Sequence, residues 1–160
     1  MKILSFDISS KSTGYSVIRN GKLIKSSLGL VTTNSKYPFG KRLQLFEEEL
    51  KELIGKHKPD VVVIEDIFKG INVRAFKTLA LFRGVAIKAI YDMMDEDPIS
   101  IMASRARSLV GVKNKKQKAF DYVIKKFGLK LDFKKDNDIA DSIVLGLAYC
   151  KMLKNDRTEE

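Results

Sequence analysis

The sequence predicts an α/β protein in which a mixed five-stranded sheet is flanked by helices. Two observations carry this prediction. Three strand-like segments open the chain, and an Asn-Gly pair between the second and third favours an antiparallel hairpin. Helical patterns then alternate with two short strand-like segments, an order typical of a sheet that continues with parallel strands and is covered by helices.

The opening segments have the apolar and β-branched composition of strands. They cover residues 2–8 (KILSFDI), 14–18 (GYSVI) and 22–31 (KLIKSSLGLV). Asn20-Gly21 separates the last two, and this dipeptide is the strongest short-range signal for a tight hairpin. We therefore expect a β-meander of three strands.

A helix and a buried strand follow the meander. The segment from Gly40 to Lys56 has charged residues on one face and, at helical spacing on the other, the apolar residues Leu43, Phe46, Leu50, Leu53 and Ile54. Pro59 ends this helix. The next segment, DVVVIED, is a β-branched run of the kind that forms a parallel strand covered on both faces.

The remaining chain alternates in the same way. Residues 71–93 have a helical pattern, and Pro98 introduces the short strand ISIM. Three more helices are predicted at 103–110, 115–127 and 136–153. With 160 residues, of which 44% are hydrophobic, the chain fits one domain. We place this domain at 1–154 and a short polar tail at 155–160.

Several classes of protein are excluded by composition. No run of about 18 apolar residues and no signal-peptide pattern occurs, so we expect no membrane association and a cytoplasmic location, the host cytoplasm for a phage-encoded chain. Cys150 is the sole cysteine and His57 the sole histidine, which leaves neither an intrachain disulfide nor a zinc cage. Any metal ion must be held by oxygen ligands.

The charge balance favours a polyanionic partner such as nucleic acid. Thirty Lys and Arg against twenty Asp and Glu give +10 at pH 7 and a pI near 9.6. Any single basic cluster also fits a merely solvated helix face. The clustered residues that we predict to bind DNA are Arg74, Lys77, Arg105, Arg107, Lys113, Lys115 and Lys116.

Four acidic residues occupy positions that predict a site. Asp7 interrupts an apolar strand, where an unpaired carboxylate costs several kcal/mol or more, and Glu65 ends the run VVVIE. Carboxyl ends of neighbouring strands form sites in open α/β sheets. Asp138 and Asp141 are three residues apart and so share one helix face. We expect the four carboxylates to converge.

Each acid has a simpler explanation. Asp138, like Asp136 and Asn137, is placed where an N-terminal cap of the last helix is equally plausible on local grounds. Glu65, followed by Asp66, could mark the exit of a strand into solvent. Asp7 is the hardest to explain in this way, because an acid inside an apolar strand is unusual unless it is paired or bound to metal.

Converging carboxylates predict a divalent cation. Like charges within a few ångströms repel one another unless cations neutralise them, and hard oxygen ligands suit Mg²⁺, with Mn²⁺ as a substitute. Two such ions, roughly 4 Å apart, activate a water and stabilise the leaving 3′ oxygen of a phosphodiester. A basic protein with an acidic metal site therefore indicates a nuclease that needs no small-molecule cofactor.

Five segments together resemble one known family. They are ILSFDISSKSTGYSVI, PDVVVIEDIF, LALFRGVAI, ARSLVGV and DNDIADSIVLGLAYC, and in this order they resemble RuvC-type Holliday junction resolvases. The resemblance implies a ribonuclease H-like fold, a homodimer, and Mg²⁺-dependent paired cuts in two symmetry-related strands of a four-way DNA junction. It also implies that Asp7, Glu65, Asp138 and Asp141 are the metal-binding, catalytic acids.

The resemblance implies two further site residues. A lysine of the family's basic loop contacts the scissile phosphate; Lys116 and Lys118 both fit its register, and we favour Lys118. Phe68 matches an aromatic that stacks on an unpaired base, although a phenylalanine after a buried strand is usually packed in the core. Ile8 and Ser9 replace the usual Pro and Gly after the first aspartate, which is typical of a divergent, phage-encoded member.

We therefore expect a dimeric, Mg²⁺-dependent endonuclease that resolves four-way or other branched DNA. The predicted dimer interface is the helix from about Asn72 to Met93, because Ala80 and Gly84 are small enough for close helix approach. One alternative is a ribonuclease H-like hydrolase of RNA–DNA hybrids. The other is an architectural protein that binds junctions without cutting them.

Overall fold

The computed structural model describes residues 1–67, 70 and 72–156, which contain a five-stranded mixed sheet in the order β3-β2-β1-β4-β5. This is the predicted fold class. Phe68, predicted to stack on DNA, lies outside the described residues. The strands are β1 (Lys2–Asp7), β2 (Ser12–Arg19), β3 (Lys22–Thr32), β4 (Val61–Glu65) and β5 (Ile99–Ile101).

The predicted hairpin and the parallel strands are both present. Asn20 and Gly21 have φ values of 50° and 76°, the left-handed conformation that a two-residue hairpin turn requires, and β2 pairs antiparallel with both β1 and β3. β4 pairs parallel with β1, with Phe6 opposite Ile64. The carboxyl ends of β1 and β4, and with them Asp7 and Glu65, therefore lie side by side.

Helices cover both faces of the sheet. They are α1 (Phe39–His57), α2 (Val73–Met94), α3 (Ala103–Leu109), α4 (Lys116–Phe127) and α5 (Phe133–Asp156). Leu4 and Phe6 of β1 pack into the core beneath α1 and α2, whereas Ile3 packs with α3, α4 and α5. Because strand side chains alternate, Asp7 shares the face of Ile3 and points toward the α5 layer.

The last helix begins at Phe133, three residues before the predicted start at 136. The Lys135 N–H donates to Asp132 Oδ1 (3.1 Å), and the Asp132 N–H donates to Asp136 Oδ2 (2.9 Å), a reciprocal cap that starts the helix earlier. The helix also continues to Asp156, so the predicted polar tail at 155–160 begins inside it.

Two glycines let α5 pack directly on the sheet. A Cβ on Gly14 of β2 would lie 2.0 Å from the carbonyl oxygen of Asp138, and one on Gly146 of α5 would lie 2.7 Å from Ser5 Oγ. The Gly14 contact is with the backbone of Asp138, and Gly14 is paired with Asp7 across β1 and β2. This contact therefore sets the distance between Asp138 and β1.

The helix predicted as a dimer interface divides between core and surface. Ala86 and Ile90 are fully buried in the core with α1, while Gly84 is exposed and a Cβ there would have no neighbour within 4 Å. In the described residues, no helix has the length and hydrophobicity needed to cross a membrane.

Candidate metal centre and nucleic-acid interface

Three of the four predicted acids form one tight cluster. One carboxylate oxygen from each of Asp7, Asp138 and Asp141 lies within 4.8 Å of the others. Asp7 ends β1, and the two other aspartates occupy the first turns of α5, held against the sheet by the close contact at Gly14. Residues more than 130 positions apart are therefore brought within reach of one cation.

Glu65 lies beside this cluster. It ends β4, the parallel neighbour of β1, and it lines the cleft together with Asp7 and Asp138. The two strand ends therefore bring a fourth carboxyl group close to the three of the cluster.

The acids are buried in a way that disfavours their charged form. Burial raises the pKa of Asp7 well above its usual range, and the neighbouring carboxyl group of Glu65 raises it further. Burial also raises the pKa of Asp141, against the opposing charges of Lys116 and Arg107. Asp7 Oδ2 is buried and has no hydrogen-bond partner among the described residues. An unpartnered, hard oxygen ligand in an acidic cluster fits a divalent cation.

The capping alternative for Asp138 does not hold. Asp132 and Asp136 make the cap of α5, and Asp138 lies in the second turn, where the free N–H groups of the helix start are no longer available. Its carboxylate lies instead with those of Asp7 and Asp141. The ambiguity arose because the helix start was placed three residues too late.

Lys116, not Lys118, is the lysine at the carboxylates. Its Nζ lies 3.2 Å from Asp141 Oδ2 and 3.7 Å from Asp138 Oδ1, and its side chain is still 53% exposed. Burial lowers the pKa of Lys116, but the charges of Asp141, Asp7 and Asp138 outweigh this and raise it above the ordinary lysine value.

Lys118 departs from our prediction. It is exposed on α4, and no ion pair of the described residues joins it to the acidic cluster. The reason is helical geometry, since both lysines lie on α4 and two residues turn a helix by about 200°. Sequence register alone does not show which face of this helix is turned toward the acids.

Arg107 also departs from the prediction of a DNA-binding surface residue. It is only 9% exposed, its Nη2 lies 3.6 Å from Asp141 Oδ1, and its Nη1 donates to Asn114 Oδ1 at 2.9 Å. This arginine contacts the acidic cluster through Asp141. Sequence reasoning missed Asn114, for which the chain gives no signal beyond its place in the basic loop.

The other predicted DNA-binding residues are exposed around the cluster. Arg74 and Lys77 lie at the start of α2, Arg105 on α3, and Lys113 and Lys115 just before α4. Neither α2 nor α4 has an acidic residue in its first turn, so both helix starts remain favourable for phosphate. These sites fit a polyanion that approaches the carboxyl edge of the sheet.

A cleft of about 360 Å³ opens over the cluster. Its lining includes Asp7, Ser9, Glu65, Lys116 and Asp138. A cleft lined by acids and by one lysine accommodates a phosphodiester whose charge is balanced by Lys116 and by bound cations. The arrangement is suited to hydrolysis of a nucleic acid backbone.

Comparison with known proteins agrees with this chemistry. Residues 3–150 match the family model described as Crossover junction endodeoxyribonuclease RuvC. A relative of that description from Carboxydothermus hydrogenoformans is 31% identical, with 96% of this chain and 97% of the relative covered. Another from Dictyoglomus turgidum is 28% identical, with 93% and 96% covered.

Solved structures show the same fold. The structure of T. thermophilus RuvC in complex with Holliday junction substrate superposes with a TM-score of 0.81 at 16% identity, covering 96% of this chain and 95% of that one. The yeast mitochondrial Holliday junction resolvase Ydc2 superposes with a TM-score of 0.61 at 13% identity, covering 93% and 77%.

Proposed function

The chain belongs to the RuvC family of crossover junction endodeoxyribonucleases, and from this premise we infer that it is a Holliday junction resolvase. It hydrolyses phosphodiester bonds of branched DNA with the help of a divalent metal. The observation that carries this conclusion is the cluster of Asp7, Asp138 and Asp141, whose ligand oxygens lie within 4.8 Å of one another in an otherwise basic protein.

The metal that we propose is Mg²⁺, with Mn²⁺ as a substitute. The donors are hard carboxylate oxygens, and no histidine or cysteine belongs to the cluster. Asp7, Asp138 and Asp141 would hold the ion, and Glu65, which lines the same cleft, would complete the ligand set. When bound, the metal supplies an activated water and stabilises the leaving oxygen.

The protein's own residues position the DNA for this chemistry. Lys116 is close to Asp138 and Asp141 but half exposed, which suits contact with the scissile phosphate. Arg107 holds Asp141 from behind through its 3.6 Å ion pair and is itself fixed by Asn114. Exposed Arg74, Lys77, Arg105, Lys113 and Lys115 are placed to bind the flanking phosphates.

The active form that we propose is a homodimer. A four-way junction has approximate twofold symmetry, and separating it into two duplexes requires matched cuts in two strands, one at each acidic cluster. On α2, Leu81 and Tyr91 are each about half exposed and lie on the same helix face as the exposed Gly84, together with the exposed Lys77 and Lys88. A glycine on an exposed, partly apolar helix face permits close packing against a second copy.

The decisive experiment is incubation of the purified protein with a synthetic immobile junction, with and without Mg²⁺, and mapping of products on all four strands. We expect paired nicks at symmetric positions only when the metal is present. Cleavage of an RNA–DNA hybrid with the junction left intact would favour the ribonuclease H-like alternative. Tight junction binding without any metal-dependent nick would favour the architectural one.

A further inference from the structure

A long stretch of the chain that sequence clustering overlooked is entirely free of acidic residues. Between Asp7 and Glu47 there is no Asp or Glu, but the stretch contains the basic residues Lys11, Arg19, Lys22, Lys25, Lys36, Lys41 and Arg42. They are spread out in sequence, so they do not form a recognisable run. The fold decides which of them lie near the metal cluster.

Three of these lysines lie at the end of the sheet where β1 and β4 finish and the cleft opens. Lys11 is in the turn between β1 and β2, Lys36 follows the end of β3, and Lys41 is in the first turn of α1. All three are exposed, and no ion pair in the described part of the chain neutralises any of them. Their positive charge is available to a ligand.

Hydrogen bonds fix these segments to the loop that follows Asp7. The Thr33 N–H donates to the carbonyl of Lys11 (3.1 Å), and the Thr33 hydroxyl donates to the carbonyl of Ser10 (2.6 Å). Arg42 Nη2 donates to the same Ser10 carbonyl, and its guanidinium lies 5.5 Å from the ring centroid of Phe82. Arg42 is thus engaged within the protein, and the lysines are left for binding.

An ordered turn holds an exposed aromatic beside the lysines. The Lys36 N–H donates to Asn34 Oδ1 (2.9 Å) and the Tyr37 N–H to the carbonyl of Asn34 (3.1 Å), while Tyr37 is 48% exposed. The start of α1 has no side-chain cap and no acid in its first turn, where Lys41 stands instead. This arrangement is unfavourable for the helix alone but favourable for a bound phosphate.

We propose that Lys11, Lys36, Tyr37 and Lys41, here called the Tyr37 patch, bind the sugar-phosphate backbone of the DNA arm that leaves the cleft on the β3 side. Lys11 is four residues from Asp7 and therefore within about 14 Å of it, or about four base pairs along an arm. The ligand is duplex DNA of any sequence, because phosphate contacts carry no base information. This inference rests on the proposed function and extends it to the arm beyond the cut.

The test compares two variants that lose the same charge. Lys11, Lys36 and Lys41 are changed to Gln together in one variant; in the control, the exposed Lys22, Lys56 and Lys151, which lie away from the cleft edge, are changed to Gln. Junction affinity is measured against salt concentration without Mg²⁺. We expect the slope of log K against log[salt] to fall by about 2 to 3 for each bound chain of the patch variant, at about 0.9 per lost phosphate contact.

The control should keep the wild-type slope within error. Equal slopes for the patch variant and the control would overturn the proposal. Tyr37→Ala should weaken binding several-fold and leave the slope unchanged, because a neutral ring releases no counterion. Circular dichroism checks that each variant is folded.

A hydroxyl-radical footprint gives the location of the contact. Protection of one arm over roughly the first eight base pairs from the cut should be lost in the patch variant and kept in the control. Full protection in the patch variant would place the arm elsewhere. Wild-type protein with Mg²⁺ on the same junction tests the proposed function separately: paired cleavage with unaltered slopes refutes the patch alone, whereas absence of cleavage refutes the function.

Discussion

Replacing Gly14 with alanine should separate the two halves of the metal cluster. The new Cβ would lie 2.0 Å from the carbonyl oxygen and 2.1 Å from the carbonyl carbon of Asp138. To reach an ordinary contact of 3.4 Å, the backbone of α5 must retreat from 2.0 Å to 3.4 Å, or by about 1.4 Å, because backbone atoms cannot rotate aside. Gly14 has no positive φ, so the cost comes from space alone.

The magnitude follows from this displacement. Overpacking of a core typically costs 1–3 kcal/mol, and we expect about 3 kcal/mol here because the obstructing atoms are rigid. Since a misplacement of about 1 Å costs roughly 100-fold in rate, the cleavage rate at saturating protein should fall at least that far. The Mg²⁺ concentration for half-maximal rate should rise, because Asp138 and Asp141 move away from Asp7.

Gly146→Ala is the matched control. It lies on the same helix–sheet contact, about 12 Å further along α5 from Asp138, and its Cβ would meet only the side-chain tips of Ser5 and Ile18. We expect a loss of about 1–2 kcal/mol in stability with less than a tenfold loss in rate. A folded Gly14→Ala protein with wild-type rate and Mg²⁺ dependence would refute the reasoning.

Three further substitutions test the site and the dimer. Asp7→Asn should abolish Mg²⁺-dependent cleavage while junction binding persists. Because burial raises the folded-state pKa of Asp7, the stability of the metal-free wild type should fall as pH rises through that pKa. Thermal melts of the metal-free variant should therefore show a higher Tm at neutral pH and a weaker dependence of Tm on pH. Lys116→Ala should lower the single-turnover cleavage rate by about 100-fold, whereas Lys118→Ala should stay within about threefold of wild type; equal losses would contradict the assignment. Gly84→Glu should give a folded monomer that makes single nicks, as seen by sedimentation and product mapping, because the space around Gly84 is open and the core is not disturbed; a dimer with paired cleavage would rule out this interface.

Local patterns were enough to predict most of the fold. The Asn20-Gly21 turn, the apolar composition of β1 and the β-branched run of β4 are properties of short segments, and the structure confirms the elements that they predict. Asp7 was recognisable as a site candidate for the same reason. Burying a carboxylate among the apolar residues of a strand costs free energy unless it gains a partner, and this is evident from the short segment alone.

The sequence by itself therefore determined the strands, most of the helices and the acids that needed a partner. Only the tertiary structure decided which cations meet those acids, because Lys116 and Lys118 are about 200° apart on α4 and the packing of that helix decides which of them faces the acids. It also decided that Arg107 is buried against Asp141 and that Gly14 admits α5 to the sheet. Contacts between residues distant in the chain depend on the distance and orientation at which helices pack on the sheet. Close packing of many side chains sets both, and a short segment of sequence does not contain that information.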